Sequence, residues 1–322
     1  MSWHNRLRDL LLWLFGALVP SVPAWGQLAS PDAPTWWDFA HAAASDSVVT
    51  LARRLDSFFG DPRALEDERA YEKTQLRIRG TSAYHRLDGW DHGVQLRLRL
   101  PLPLAERRLR LVVDSWDDTE KPLPERAERF EPLLTSNRRS EVGVEWGLRE
   151  QAPSQWVVRL SGGPKVSLRY RQSWMLTDLW RFEPRPQLYW HRERGLGALV
   201  GADLLRPVGS QNLLRFSIQA DEWGSAAGSY WQVGADWSHL VDDARAWNLF
   251  WTTSGVTQPQ QVTEHRLAWR WRASVWRPWF FYEVEPSIGW RREALANAVW
   301  RGPLRFDPAV MFRIEIALGK GR

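Results

Sequence analysis

Residues 264–272 read Glu-His-Arg-Leu-Ala-Trp-Arg-Trp-Arg, and their spacing decides the fold. Leu267, Trp269 and Trp271 fall on alternate positions, with Arg266, Arg270 and Arg272 on the others. A strand sends successive side chains to opposite faces, so this stretch has one apolar and one cationic face. The same alternation recurs in Val142-Val144-Trp146-Leu148, Trp156-Val158-Leu160 and Trp231-Val233-Ala235-Trp237, with mostly polar residues between. A transmembrane β-barrel needs this pattern, with lipid outside, a polar lumen inside and aromatic girdles at the two interfaces. The chain carries 23 tryptophans in 322 residues. Trp146, Trp156, Trp180, Trp190 and Trp231 are candidate interface residues, as are Trp237, Trp269, Trp271 and Trp290.

Working outward, period-two segments start near Tyr71 and continue to the C-terminal region. They include 94–100, 109–113, 139–150, 155–161, 165–175, 179–190 and 195–205. Further on they include 211–222, 229–240, 244–254, 262–275, 279–290 and 308–318. The spacing predicts an all-β fold: a transmembrane antiparallel β-barrel of about fourteen strands, an even number that leaves both termini on one side. Twelve is the alternative, if Gly162-Gly163-Pro164 is a bulge rather than a turn. Short connectors such as 206–210 and 241–243 read as periplasmic turns, and the longer 117–138 and 291–307 as external loops. Pro184, Pro186 and Pro286 conflict with continuous ladders, because proline has no N–H to donate.

Composition narrows the alternatives. Cysteine is absent, which excludes disulfides, thiolate metal sites and a cysteine nucleophile. Forty-three Lys+Arg stand against 38 Asp+Glu, and the arginines alternate with apolar residues instead of clustering. A base-stacking platform would put aromatics and cations on one face, so a nucleic-acid partner is not expected. Mean hydropathy is −0.45 although 44% of residues are apolar, as expected when strands average two unlike faces.

Three regions follow. Residues 1–26 read as a signal peptide: Arg6 and Arg8, then a core from Leu10 to Val19, then Ala24 and Gly26 near a cleavage site. That core is too short to cross a bilayer as a helix. Residues 27–70 form a periplasmic leader, in which Val48, Leu51, Ala52, Leu55, Phe58 and Phe59 carry the spacing of an amphipathic helix. The helix could pack on the barrel end, plug the lumen or dock a periplasmic protein through Val48–Phe59. Residues 71–322 are the outer-membrane barrel, with the lipid bilayer and the barrel-insertion machinery as its partners.

The polar face is heavily ionised. It includes Arg97, Arg99, Glu141, Glu145, Arg181 and Glu183. It continues with Arg266, Arg270 and Arg272, then Glu283 and Glu285, then Arg313 and Glu315. Adjacent strands carrying opposite signs form stabilising cross-strand pairs. Read structurally, these ions satisfy one another; read functionally, the arginine excess favours anions in a narrow pore. His85, His92, His191 and His265 are the rim histidines from which an envelope-modifying enzyme would draw a base. His92 beside Asp88 and Asp91 suggests at most a local pairing, and neither a catalytic trio, a metal site nor a cofactor motif emerges.

Trp276–Glu285 (WRPWFFYEVE, continuing PSIGW), the final FDPAVMFRIEIALG and Asp56-Ser57-Phe58-Phe59 before an acidic stretch carry a resemblance. They resemble a family of Gram-negative outer-membrane β-barrel proteins to which no activity is assigned. The resemblance implies an outer-membrane barrel and no catalytic residues. One departure is the Gly-Lys-Gly-Arg tail after Leu318, where such barrels commonly end on an aromatic residue. Together these readings lead us to expect a porin-like barrel for small polar or anionic solutes. The alternatives are a closed structural or assembly barrel and an outer-rim lipid-modifying enzyme.

Overall fold

The computed structural model describes residues 75–101, 109–114, 141–147, 154–161, 165–191, 195–224, 228–275, 277, 279–295 and 299–319. The signal-peptide, leader and amphipathic-helix expectations lie outside these residues. Among the described residues there is no helix, and the chain is an all-β antiparallel sheet.

The strands are β1 (Gln75–His85), β2 (Gly89–Pro101), β3 (Leu109–Asp114), β4 (Glu141–Gly147), β5 (Ser154–Ser161) and β6 (Lys165–Gln172). Next come β7 (Trp174–Met175), β8 (Arg181–Pro184), β9 (Gln187–His191), β10 (Gly195–Val208), β11 (Asn212–Trp223) and β12 (Tyr230–Asp242). The last are β13 (Arg245–Thr257), β14 (Gln260–Ser274), β15 (Phe280–Leu295), β16 (Val299–Phe306) and β17 (Ala309–Gly319).

Three traverses are each split in two, so these segments make fourteen strands. Proline accounts for two of the splits. Pro184 and Pro186 bracket the break between β8 and β9, both of which pair with β10. Pro308 lies at the break between β16 and β17, both of which pair with β15. Pro286 stays inside β15, but pairing with β14 lapses there, resuming at Ala268↔Ser287 on one side and Trp271↔Val284 on the other. β5 and β6 pair as separate antiparallel strands, with Ser161 opposite Lys165; the count is therefore fourteen rather than twelve.

Neighbours in sequence pair in order, and β17 returns to β1 with Gln75 opposite Gly319. Both ends of the sheet thus lie at one side, the terminal end. There β2 pairs β3 over Arg97–Pro101. Toward the far end, residues 89–96 of β2 pair only with β1 among the described residues, so the described sheet is not closed over its full height.

One expectation is corrected at the far end. Within 291–307, residues 291–295 and 299–306 are strand rather than loop: β15 runs on to Leu295 and β16 pairs back along it. The hairpin keeps its ladder, because paired backbone satisfies its own polar groups without needing a loop. Gly302, at φ 73°, sits in the bulge where the register slips, a conformation that glycine adopts without strain.

Candidate functional site: a guanidinium-rich lumen wall

The two faces of the sheet are inverted relative to a water-soluble protein. Exposed large apolar side chains include Leu96, Phe216, Ile218, Leu249, Leu267, Ile288, Phe312 and Ile314. All of them belong to one alternate set of the register. The opposite set carries the buried ions Arg79, Arg181, Asp203, Arg215, Arg272, Glu283, Glu285 and Glu315. Contiguous exposed apolar surface of this kind marks a membrane or protein interface. A wall polar inside and apolar outside is what lipid demands of a barrel.

Most of the described strand tryptophans sit on the outward set, Trp223 being buried on the inward one, and eight of them mark two rows. Toward the far end are Trp90, Trp190, Trp231 and Trp290, the last packed on Phe306 with centroids 5.4 Å apart. Toward the terminal end are Trp237, Trp247, Trp269 and Trp271, with Trp237 and Trp247 edge-to-face at 5.2 Å. Trp180, in the turn after β7, packs on Phe216 at 6.3 Å and lies under Arg206 at 5.2 Å. Backbone register puts positions 146 and 156 in the outward set, near the terminal ends of β4 and β5. On β14, Trp271 is six residues from His265, the partner of Trp290, which separates the rows by roughly 20 Å along the strand.

The inward set converges on one wall formed by β14, β15, β17 and β1. Glu283 accepts from Arg272 at 3.3 Å and lies 3.3 Å from Arg270, and Arg313 also bonds to it. Glu285 accepts from Arg270 at 2.6 Å and from Arg266. Glu315 accepts from Arg79 at 2.7 Å and Arg272 at 2.8 Å, with Arg77 at 3.9 Å. The three carboxylate side chains are each 1% exposed. Among the described residues, six guanidiniums therefore surround these three carboxylates.

Arg313 shows the shortage of acceptors. Its second terminal nitrogen donates to the Met311 thioether at 3.3 Å, a weak acceptor. Its Nε is buried without a hydrogen-bond partner among the described residues. Arg266 and Arg270 also lie over the Phe250 ring, at 5.4 and 5.2 Å.

A second ionic group lies on β8, β10 and β11. Arg181 pairs with Glu183 at 2.7 Å, Arg185 with Asp203 at 2.8 Å, and Arg215 is buried beside them on β11. Positions 97, 99, 141 and 145 share the inward set by register, in the sector between these two groups.

Several partners were not anticipated from sequence. Asp203 lies in Leu199–Leu205, where apolar residues occupy both faces and parity gives no signal. Tyr189 reaches across Gly197 to donate to Asp221 at 2.9 Å, and a Cβ on Gly197 would lie 2.3 Å from its ring. An aromatic beside a glycine on the facing strand was the available cue.

The rim histidines do not converge. His85 points inward at the far end, its Nδ1 3.5 Å from Asp307, which also accepts from Arg291 at 2.6 Å. His92 lies on the other face, stacked on Trp90 at 5.8 Å. His265 faces outward too, bonded to Thr253 at 2.8 Å. Asp91 is buried inward beside His92 in sequence, while Asp88 pairs with Arg291; neighbours on a strand thus face opposite ways. His191 takes an inward register position opposite Lys165. No group of three metal-ligating side chains occurs among the described residues.

No family model matches the chain, and no curated protein matches it. Solved structures do align with it. The anion-selective porin from Comamonas acidovorans aligns at 9% identity over 76% of this chain and 99% of its own, with a TM-score of 0.46. The outer-membrane channel DcaP of Acinetobacter baumannii aligns at 8% over 76% and 96%, with a TM-score of 0.45. OmpT of Vibrio cholerae aligns at 5% over 76% and 96%, with a TM-score of 0.43.

Proposed function

We propose that the chain is an outer-membrane pore whose β14–β15–β17–β1 wall favours small anionic solutes. One observation carries this reading: among the described residues six guanidiniums face three carboxylates on the lumen side, and Arg313 donates to a thioether where an anion would accept better. Fixed cations lining a pore raise the local anion concentration and lower the barrier to anion entry. The outward apolar face is the lipid contact, the tryptophan rows are its two boundaries, and the terminal end is periplasmic. Export through the signal peptide and folding by the barrel-insertion machinery belong to the same reading.

Reconstitution in planar bilayers under a potassium chloride gradient tests it. The expected reversal potential has the sign of chloride preference, and Arg313→Gln reduces its size. Cation preference, or no conductance at all, overturns the proposal. A closed structural barrel is the second reading, favoured by the buried apolar side chains of Leu205, Leu213, Leu240 and Ala246 on the inward set.

A further inference from the structure

The lumen changes character at the terminal end. Leu205 on β10, Leu213 on β11, Leu240 on β12, Ala246 on β13 and Phe281 on β15 form one apolar cluster, with Ala317 of β17 packed against it. Each sits on the inward set, in a wall otherwise lined with ions and amides. In a water-filled channel such side chains would be wet. Here Leu213 and Ala246 are 0% exposed, Leu205 1% and Leu240 3%. A ring of fourteen strands is wider than its own wall side chains fill; eight strands is about the number at which they do. The apolar row therefore needs an occupant.

The chain itself supplies one at the right end. β1 begins at Gln75, and its Arg77 pairs with Ala317, so the polypeptide arrives beside the apolar row. Upstream, Val48, Leu51, Leu55, Phe58 and Phe59 recur at helical spacing and make a single apolar stripe. Residues 60–74 join the stripe to β1, and that length reaches up to about 50 Å when extended, enough to cross the barrel end. They include the acidic run Glu66-Asp67-Glu68, opposite in sign to Arg77 and Arg79 on β1.

We propose that residues 48–59 of this same chain form an amphipathic helix seated inside the terminal end of the lumen. Its stripe lies on Leu205, Leu213, Leu240, Ala246 and Phe281, and the acidic run lies against the β1 arginines. The lumen is then lined by its own N-terminal segment at one end and by ions above it, and solute passes beside the helix.

Absence of native cysteine makes cross-linking clean. Full-length Leu55→Cys/Ala246→Cys in outer-membrane fractions, oxidised with copper phenanthroline, is expected to give an intramolecular product reversed by reductant. Leu55→Cys/Leu249→Cys, whose second site faces outward on the same strand, is expected to give none. Equal cross-linking of both pairs, or of neither, overturns the proposal. A product of twice the mass, or one joined to another protein, overturns it in favour of a second copy or a periplasmic partner. If Ala246→Cys does not fold, Leu55→Cys alone decides: protection from a bulky maleimide until denaturation supports the seat, and immediate labelling removes it. Cross-linking reads seating whatever the barrel conducts, so a seated helix without conductance keeps this inference and loses the pore.

Discussion

The wall from β14 through β17 to β1 and the wall of β12 and β13 belong to the same lumen and satisfy their polar groups in opposite ways. The first uses full charges: three carboxylates 1% exposed, each held by two or three arginines. The second uses neutral groups. Gln219 donates to Gln232 at 2.8 Å, and Asn248 to Ser238 at 2.7 Å. Asp236 is the inward charge of that wall, and it accepts from Asn248 at 3.3 Å. In the proposed pore, the difference separates selectivity from solvation. Charged groups fix a field and depend strongly on their partners, because an ion deprived of its partner in a dry site is costly. Amides and hydroxyls fix little and lose little.

The largest expected effect tests that asymmetry directly. Glu283→Gln leaves Arg270, Arg272 and Arg313 without the carboxylate they share. By analogy with broken buried ion pairs this costs on the order of 3–5 kcal/mol. Urea titration of the heat-shifted gel band should show a large drop in midpoint, or no folded band. A drop no larger than that of a neutral-wall substitution would erase the distinction between the walls. Next comes Gly197→Ala, which drives Tyr189 off Asp221. Overpacking of this kind costs about 1–3 kcal/mol, read by the same titration. If Gly197→Ala is neutral, the tyrosine lies elsewhere. Smaller again is Asn248→Ala in the neutral wall, expected at about 1 kcal/mol for its hydrogen bonds and with an unchanged reversal potential. A shift in selectivity from Asn248→Ala would mean that the neutral wall helps to choose the solute.

The same two walls show what sequence can and cannot carry. In β14 and β15 the alternation is strict, so Arg266, Arg270, Arg272, Glu283 and Glu285 declare their face by parity alone. The strand count is legible for the same reason, and so is the split at Pro184 and Pro186. In β10 and β11 the inward set mixes Leu199, Leu205 and Leu213 with Asp203 and Arg215. A period-two reading assumes that one face is polar, and it fails where both faces are apolar. The apolar cluster at the terminal end was invisible for that reason. Residues 291–307 were misread because Arg291, Arg292 and Arg301 look like loop composition. Yet Arg292 spends its guanidinium on backbone carbonyls, donating to Val262 at 2.7 Å and also to Gly302, which binds the hairpin as a paired extension. Loop-like composition at the far end thus encodes a cross-braced strand.

The smallest expected effect lies outside the lumen, at the turn between β12 and β13. Arg245 donates to Asp242 at 2.8 Å, as does the Ala244 N–H. The Arg245 hydrogen bond, helped by that N–H, holds the Asp242 carboxyl below its usual range. A depressed carboxyl contributes stability above its unfolded pKa and loses that contribution as pH falls through the folded value. Wild type should therefore exceed Asp242→Asn slightly at about pH 7, and the two should converge on acidification. Both partners are solvent-exposed, and exposed ion pairs are screened by water and salt, so the separation should be close to the scatter of the titration and vanish in high salt. The turn has the same chemistry as the Arg272–Glu315 bridge, which lies 2.8 Å apart with both side chains 1% exposed; only the solvent differs. A midpoint loss at the turn as large as that of Glu283→Gln would show that pairing, rather than burial, sets the strength of this barrel's ion pairs, and the charged wall would lose its claim to be special.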